Sequence, residues 1–361
     1  MARESDRKVL VAMSGGVDSS VTAAILAEKH EVIGITMRLG PQEAHESSCC
    51  SVESVNDARQ VAHQLGIPFY AVNYEEAFRQ EIVDYFCDEY SSGRTPNPCI
   101  ICNQKLKFGK LLQLAHELDA GYVATGHYAQ VSYDAEKGRY ILRKGIDDKK
   151  EQSYALFSLK QEQFEHIIMP LGNYTKTEVR NIAGKLSLKV AERRESQELC
   201  FVSDNDYNRF LREHLAGKIK PGEIIDTTGK VIGQHNGIQF YTIGQRKGLG
   251  GSYGKVMYVI SIDASTNTIV AGSRDDLFVS RLIASGANFI SIPKLDRPLR
   301  VRAKIRYNDP GREGTAFPLS DNNFKVIFDQ PCMAVTPGQA VVLYDNDIVI
   351  GGGWIESSQR D

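Results

Sequence analysis

The feature that most constrains the fold is a regular alternation of short β-rich runs and longer amphipathic runs through the first half of the chain. KVLVAM, EVIGITMRL and PFYAVNY are typical of buried strands, and VTAAILAEKH and VESVNDARQVAHQLG between them are typical of helices. A helix from about Glu75 to Tyr90, a second in KFGKLLQLAHELDAG and a strand in YVATGHYAQV continue the pattern. This rhythm predicts an α/β fold with a doubly wound parallel sheet, which binds ligands beyond the carboxyl ends of its strands.

The second half of the chain changes in texture. Helices in EQSYALFSL and in TKTEVRNIAGKLSL, which starts at a Thr cap, complete an α/β domain predicted to span residues 1–204. A helix-like piece, YNRFLREHLAG, and Gly-punctuated short strands such as HNGIQFYTIG and KVMYVISID predict a small mixed central domain over residues 205–279. LRVRAKIRY, FKVIFD, QAVVLYDND and IVIGGGWIE predict a β-barrel or sandwich over residues 280–361, with a hairpin turn at Asp345-Asn346-Asp347.

Composition narrows the class of protein. At roughly 150 residues per domain, 361 residues suggest two or three cores. The formal net charge is −2, so any nucleic-acid site must come from local clustering of cations. No run approaches the ~18 apolar residues of a membrane span, and the chain starts with a charged segment. We therefore expect a cytoplasmic protein without membrane partners.

A glycine-containing loop, Ser14-Gly15-Gly16-Val17-Asp18-Ser19-Ser20, lies between the first strand and the first helix. Paired glycines let the backbone turn tightly, and its amides together with the helix N-terminus favour an anionic phosphate. Neither GxxxxGK[ST] nor GxGxxG is present, so the usual P-loop ATPase and dinucleotide-binding interpretations lose their main support. The alternative is a plain glycine turn capped by Asp18, but the position directly after a strand favours phosphate binding.

The seven cysteines are an odd set in a chain without a secretion signal, which favours metal or thiol chemistry over a disulfide framework. Cys99 and Cys102 form a CxxC motif beside the proline-restricted loop RTPNP, and zinc, iron–sulfur and dithiol chemistry all fit this spacing. Cys200 follows the last helix of the α/β domain, so the fold can return it to the ligand-binding edge. Burial as small hydrophobes is expected for Cys87 and Cys332, and a chemical role for Cys49-Cys50 is disfavoured.

Two segments are locally basic. No acidic residue occurs from Ser91 to His116, where the cations are Arg94, Lys105, Lys107 and Lys110. In LRVRAKIRY a second set of cations recurs with period two, so the four side chains lie on the same face of a strand and make that face positively charged. These cations are Arg300, Arg302, Lys304 and Arg306. Solvated faces explain such runs in many proteins, but both segments also suit a polyanion.

The motifs SGGVDSS, RTPNPCIICN, ATGHY, EQSY, the Cys200 segment, TIGQRKGLG and TPGQA occur in the order seen in the tRNA-specific 2-thiouridylase family. The chain resembles this family, a branch of the ATP-pyrophosphatase (PP-loop) superfamily, over nearly its whole length. The resemblance implies a PP-loop domain, a small mixed domain and a C-terminal β-barrel. It also implies an enzyme that uses ATP and Mg²⁺ to adenylylate C2 of the wobble uridine in glutamate, glutamine and lysine tRNAs, then replaces the oxygen with sulfur, releasing AMP and pyrophosphate. A cysteine desulfurase or a sulfur-carrier protein would donate the sulfur.

The resemblance also implies which residues do this. ATP would contact Ala12, Met13, Ser14, Gly15, Gly16, Val17, Asp18, Ser19, Met37 and Gly126. Asp18 would help place Mg²⁺. The tRNA would contact Asn97, Pro98, Cys99, His127, Lys150, Glu151, Gln152, Arg306, Tyr307 and Gln339. Cys102 would be the nucleophile and Cys200 the persulfide carrier, with a transient disulfide between them. Plain structural roles stay open for Met37 as a core residue, Gly126 as a turn glycine and His127 as a strand histidine.

Cys99 departs from the family pattern, which has aspartate at this position. Three thiolates, Cys99, Cys102 and Cys200, can hold a 4Fe-4S cluster with one iron left for hydrosulfide, and the exchange of aspartate for cysteine favours this interpretation over the persulfide. Two other functions remain open. One is a non-catalytic, cluster-bearing RNA-binding redox sensor, and the other is an ATP-pyrophosphatase that acts on a small carboxylate.

Overall fold

The computed structural model describes residues 8–40, 52–192, 199–202, 204, 206–249 and 256–360. Cys49 and Cys50 lie outside the described residues. The chain divides into two compact units. The first unit comprises Met1–Ile82, Cys99–Asn205 and Asp347–Val349, and the second comprises Val83–Pro98, Asp206–Asn346 and Ile350–Asp361.

A parallel sheet of five strands forms the centre of the first unit. Its strands are β1 (Val9–Ala12), β2 (Val32–Arg38), β3 (Phe69–Asn73), β4 (Tyr122–Ala124) and β7 (Ile167–Ile168), and a hairpin of β5 (Ala129–Asp134) and β6 (Arg139–Lys144) precedes β7. The strand order is β3-β2-β1-β4-β7, and every neighbouring pair is parallel. The order reverses between β1 and β4, which is where doubly wound sheets open a ligand crevice. The predicted α/β fold is confirmed.

Helices cover the sheet and continue into the second unit. Their bounds are α1 Val17–Ala27, α2 Val52–Leu65, α3 Glu75–Phe78, α4 Tyr85–Ser91, α5 Pro98–Cys102, α6 Leu111–Glu117, α7 Gln161–Phe164, α8 Lys176–Lys185 and α9 Tyr207–His214. Two π-helical stretches, Arg79–Asp84 and Asn103–Lys110, join α3 to α4 and α5 to α6. Such wide turns are rare and occur frequently at functional sites.

Several local predictions differ from the structure. The helix predicted from Lys107 begins at Pro98, so the CxxC motif is helical. The single strand predicted in YVATGHYAQV is interrupted between β4 and β5, and EQSYALFSL forms only a short 3₁₀ turn over Ser153–Leu156. A second 3₁₀ turn, Ile238–Phe240, replaces the strand predicted in HNGIQFYTIG. The Thr-capped helix is confirmed, because the Thr175 side chain accepts from the Glu178 amide at the start of α8.

The second unit contains two β structures. A four-stranded sheet has the order β10-β11-β8-β9, and its strands are β8 (Gly222–Asp226), β9 (Val231–His235), β10 (Tyr258–Asp263) and β11 (Thr268–Gly272). Six further strands close into a barrel, because β12 pairs with both β15 and β17; they are β12 (Phe278–Phe289), β13 (Leu299–Lys304), β14 (Arg312–Pro318), β15 (Phe324–Met333), β16 (Ala340–Asp345) and β17 (Ile348–Gln359). The barrel is therefore observed rather than the sandwich. Asn346 has φ 55° in the predicted hairpin turn.

The segment Val83–Pro98 belongs to the second unit, although it precedes Asp206 by more than a hundred residues in the chain. The predicted domain limits at 204/205 and 279/280 remain predictions. None of the helices in the described part of the chain is both long and apolar enough to cross a membrane.

Gly15 provides a test of how the first loop is built. Its φ of +73° is unfavourable for other residues, and a Cβ there would lie 2.3 Å from the Ser54 carbonyl oxygen. We expect Gly15→Ala to lower the free energy of unfolding by about 1–3 kcal/mol. Gly184 in α8 has open space around it and is the matched control; Gly184→Ala should raise stability by about 0.5–1 kcal/mol. Urea or thermal unfolding measures both, and an equal effect of the two substitutions would contradict this account of the loop.

Candidate active site

The loop after β1 is held in shape by its own hydroxyl groups. The Ser14 amide donates to Ser19 Oγ at 3.1 Å, and the hydroxyls of Ser19 and Ser20 donate to the Gly16 carbonyl at 3.1 and 2.9 Å. Helix α1 starts at Val17, and its first amides have no acceptor within the helix. Ser14 is exposed at the mouth of this loop. The arrangement fits a phosphate group, as the sequence predicted.

Asp18 does not cap α1, because Gly16 is the N-cap residue and no side chain caps it. Its carboxylate instead points to two residues from distant parts of the chain. Lys176 Nζ lies 2.7 and 2.8 Å from the two carboxylate oxygens, and the Tyr128 hydroxyl donates to Oδ1 at 2.8 Å. Both partners are nearly buried, with relative exposures of 9% for Lys176 and 2% for Tyr128. Asp18 is therefore fixed beside the loop by an ion pair and a hydrogen bond.

Met37 is at the end of β2 and Gly126 follows β4, and these two strands flank β1 in the sheet. A Cβ at Gly126 would lie 3.0 Å from the Asp18 backbone, a tight approach that favours glycine at this position. The Met37 side chain is half-buried, and its two predicted roles, as an ATP contact and as a core residue, both remain predictions. Loops after β1, β2 and β4 thus meet at the carboxyl edge of the sheet.

The residues at this edge fit Mg²⁺ and a triphosphate. The helix start and the glycine loop offer amide donors, and Asp18 offers the carboxylate oxygens that Mg²⁺ prefers. The ATP-contact roles predicted for Ala12 to Ser19, Met37 and Gly126 remain predictions.

The CxxC motif occupies the first turn of a helix rather than a loop. Pro98 is the first residue of α5, a position that suits proline because its missing N–H would have no helical partner. Cys99 is exposed and Cys102 is buried, although residues three apart lie on neighbouring parts of a helix surface. The next residue, Asn103, is buried in the π-helical stretch; its Nδ2 donates to the Ala155 carbonyl at 3.0 Å, and its Oδ1 has no hydrogen-bond partner among the residues that the structure describes. An unused buried acceptor therefore lies next to Cys102.

His127 lies in the segment between β4 and β5 and is buried. Burial, and after it the charge of Lys107, hold the pKa of His127 well below its usual value. Its Nδ1 is 2.6 Å from Thr125 Oγ1. The imidazole is therefore neutral at pH 7 and suits a hydrogen bond to a base better than an ion pair with a phosphate.

The three cysteines of the proposed sulfur chemistry all belong to the first unit, and Cys200 is half-buried. Within the described ranges, no three or more His, Cys, Asp or Glu residues are arranged so that they could hold a metal ion. The described residues therefore do not present a formed cluster site. The predicted burial of Cys87 and Cys332 is confirmed, and burial raises the pKa of both thiols to about 11.

Three residues predicted to contact tRNA have structural bonds in the first unit. Gln152 Oε1 accepts from the Tyr128 amide at 3.0 Å, and the Gln152 amide donates to the Tyr128 carbonyl at the same distance. The buried carboxylate of Glu151 accepts from the Ser153 amide. Lys150 is half-exposed, and its backbone amide donates to Asp147. Gln152 therefore fixes Tyr128, which in turn contacts Asp18.

In the second unit, the loop before the CxxC motif is bound by the barrel residue Gln339. Its amide nitrogen donates to the carbonyls of Thr95 and Pro96, each at 3.0 Å, and the Thr95 amide donates to the Pro337 carbonyl at 2.9 Å. Arg94 forms ion pairs with Glu89 at 2.9 Å and Glu356 at 2.6 Å. The side chain predicted to touch tRNA thus also shapes the backbone just before Asn97 and Pro98.

The two basic segments carry less free charge than their sequences suggest. Arg94 is compensated by two carboxylates, and Lys105 lies 3.5 Å from Glu81. On β13 the alternation is as predicted, with Val301 and Ala303 buried. Arg300 pairs with Asp329, and Arg302 pairs with Glu313 at 2.8 Å. Arg306 and Tyr307 follow the strand and are exposed.

Sequence reasoning missed Lys176, Tyr128 and Asn103. Lys176 carries one local signal, because a lysine in the first turn of a helix is unfavourable for the helix dipole and calls for another reason. Tyr128 belongs to the quoted motif ATGHY without being singled out. Asn103 likewise ends the quoted motif RTPNPCIICN without being singled out.

Comparison with known proteins covers the whole chain. The family described as the tRNA methyl transferase HUP domain matches residues 7–204, the tRNA methyl transferase PRC-barrel domain matches 208–273, and the aminomethyltransferase beta-barrel domain matches 279–355. The tRNA-specific 2-thiouridylase MnmA 1 of Thermoanaerobacter sp. (strain X514) is 52% identical over 99% of this chain and 100% of that protein. The tRNA-specific 2-thiouridylase MnmA of Acetivibrio thermocellus is 51% identical over 98% of this chain and 100% of that protein.

Among solved structures, the U34-tRNA thiolase NcsA from Methanococcus maripaludis with its 4Fe-4S cluster is 24% identical, with a TM-score of 0.35 over 58% of this chain and 68% of that chain. A similarity at this level carries no inference about the cofactor of this protein. The two 2-thiouridylases are more than 50% identical to this chain over nearly its full length. This similarity shows that the chain belongs to the tRNA-specific 2-thiouridylase family.

Proposed function

We propose that the chain is a tRNA 2-thiouridylase that adenylylates C2 of the wobble uridine and then replaces the oxygen with sulfur, releasing AMP and pyrophosphate. One structural observation carries the proposal. The glycine loop and Asp18 lie at the reversal of strand order in the parallel sheet, where a nucleotide is expected, and the CxxC helix belongs to the same unit. The full-length similarity to 2-thiouridylases supports the same reaction.

The chemistry has two steps. In the first, O2 of the uridine attacks the α-phosphorus of ATP and the bond to pyrophosphate breaks. The oxygen on C2, which is a poor leaving group, then becomes part of AMP, which is a good one. Bound Mg²⁺ would neutralise phosphate charge at Asp18. In the second step a sulfur nucleophile attacks C2, and AMP leaves with the electron pair of the C–O bond. The protein supplies orientation of both groups, and a neutral His127 offers a hydrogen bond rather than a charge.

Two sulfur routes are compatible with the cysteines. In the persulfide route the terminal sulfur on Cys200 attacks C2; Cys102 thiolate then attacks Cys200 Sγ, and the breaking S–S bond leaves its electrons on the sulfur at C2. The resulting disulfide needs an external dithiol to restore both thiols. In the cluster route Cys99, Cys102 and Cys200 would bind three irons of a 4Fe-4S cluster. This route requires the three thiolates to be close together at one time.

Iron content separates the routes. On the cluster proposal, anaerobically purified protein should hold about four irons and about four acid-labile sulfides per chain. Separate Cys99→Ala, Cys102→Ala and Cys200→Ala variants should each lose them, while Cys332→Ala, a buried cysteine of the barrel, should not. No bound iron after anaerobic reconstitution would exclude the cluster and leave the persulfide route.

The substrate and donor are part of the proposal. The tRNA set would be the glutamate, glutamine and lysine acceptors, and a cysteine desulfurase or sulfur-carrier protein would supply sulfur. A cytoplasmic location stays a prediction. Asn97, Pro98 and Cys99 would lie near the target base, and Gln339 would act partly through the bonds it makes to Thr95 and Pro96.

The reaction itself is tested by pyrophosphate and AMP release in the presence and absence of unmodified tRNA. We expect release that depends on tRNA, and a loss of about 100-fold or more in Asp18→Ala, because the carboxylate that would hold Mg²⁺ at the phosphates is removed. Glu28→Ala, which changes an exposed carboxylate at the other end of α1, should retain full activity. Release without tRNA would favour a small carboxylate substrate, and no release under any condition would favour the redox sensor.

The barrel surface gives a separate prediction about tRNA binding. Arg306→Gln should flatten the slope of log K against log salt by up to ~0.9 for one lost phosphate contact. Arg300→Gln is the matched control from the same run of alternating cations, and it should change the slope less because Arg300 is already paired with Asp329. Filter binding or fluorescence anisotropy over a salt series measures both slopes. Equal slopes in both variants and the unaltered protein would mean that this face is only solvated.

A further inference from the structure

Lys176 is an unusual residue for the start of a helix. It is the first residue of α8, where a positive charge meets the positive end of the helix dipole. The helix start does not need it, because Thr175 and Glu178 form a capping box without its side chain. Lysine is also seldom buried unless it is paired. The position of this side chain therefore calls for an explanation outside α8.

The explanation lies at the loop that follows β1. The Lys176 ammonium contacts both oxygens of Asp18, at 2.7 and 2.8 Å, and Tyr128 contributes a third hydrogen bond to the same carboxylate. The backbone at Gly126 packs closely against Asp18, because a Cβ there would lie 3.0 Å from the Asp18 backbone. A cation already neutralises the carboxylate that the nucleotide loop presents.

This arrangement conflicts with Mg²⁺ binding unless the ammonium has a second partner. A divalent cation at Asp18 and an ammonium on both of its oxygens repel each other at short range. The phosphate chain of ATP brings several negative charges to the same place, and a lysine ammonium, with three donors on a flexible stem, binds phosphate well as a point charge. Moving from the carboxylate to a phosphate oxygen keeps the ammonium paired throughout.

We propose that Lys176 is a phosphate-binding residue of the nucleotide site, and that its ammonium passes from Asp18 to the phosphate chain when Mg-ATP binds. The inference rests on the nucleotide site of the proposed function and adds a residue to it. It differs from a purely structural ion pair in one respect: Lys176 then contributes to phosphate affinity even where Asp18 carries no charge.

Equilibrium binding of ATP to the full chain, by calorimetry or anisotropy of a labelled analogue, separates the two roles. We expect Lys176→Met to weaken ATP binding by about 10- to 100-fold, in line with the loss of a charged hydrogen bond. Lys176→Arg should restore part of the affinity. Lys185→Met, an exposed lysine at the other end of α8, is the matched control and should bind ATP as the unaltered protein does.

The deciding comparison is made in an Asp18→Asn background with ATP in EDTA. The inference predicts that adding Lys176→Met lowers affinity by a further factor of about 10 or more. Equal affinity of Asp18→Asn with and without Lys176→Met would overturn it and leave Lys176 as a structural counter-ion. The double variant has no unpaired buried charge, so it remains informative even where Lys176→Met alone unfolds. Failure of the unaltered protein to bind ATP would instead reject the nucleotide site of the proposed function.

Discussion

Close backbone contacts at the carboxyl edge of the parallel sheet are the constraint on which the candidate site depends. A Cβ at Gly15 would lie 2.3 Å from the Ser54 carbonyl oxygen, and a Cβ at Gly126 would lie 3.0 Å from the Asp18 backbone. The Gly126 contact lies where the strand order reverses and fixes the loops after β1 and β4 relative to each other, and the Gly15 contact holds the loop after β1 against the start of α2. The ion pair of Asp18 with Lys176 and the hydrogen bond from Tyr128 follow from that placement.

Local features of the sequence predicted much of this unit. Apolar runs predicted β1 and β2, and the Thr175 cap predicted the start of α8. The segment Ser14 to Ser20 predicted the loop between β1 and α1. The pair of Asp18 and Lys176 spans 158 residues and depends on the exact start of α8, so no local pattern contains it. In YVATGHYAQV the predicted strand is broken between Ala124 and Ala129, where the non-apolar residues Thr125, Gly126 and His127 stand.

Charge was the least predictable property. The period-two cations of β13 lie on one face as expected, but Arg300 and Arg302 face carboxylates on β15 and β14, strands that sequence reasoning could not align. Arg94 is compensated in the same way by Glu89 and Glu356. A run of cations in one strand therefore indicates a positively charged surface only once the residues opposite it on the neighbouring strands are known. Burial was easier to infer, as Cys87 and Cys332 show.

The discontinuous make-up of the second unit has a consequence for how the chain reaches its native state. Arg94 and Glu356 are 262 residues apart, and Gln339 binds Thr95 and Pro96 across a comparable separation. The loop before the CxxC motif therefore cannot form these bonds until the last strands of the barrel have been synthesised. Contacts between residues so distant in sequence slow folding, and the loop therefore reaches its final conformation late in the folding of the chain.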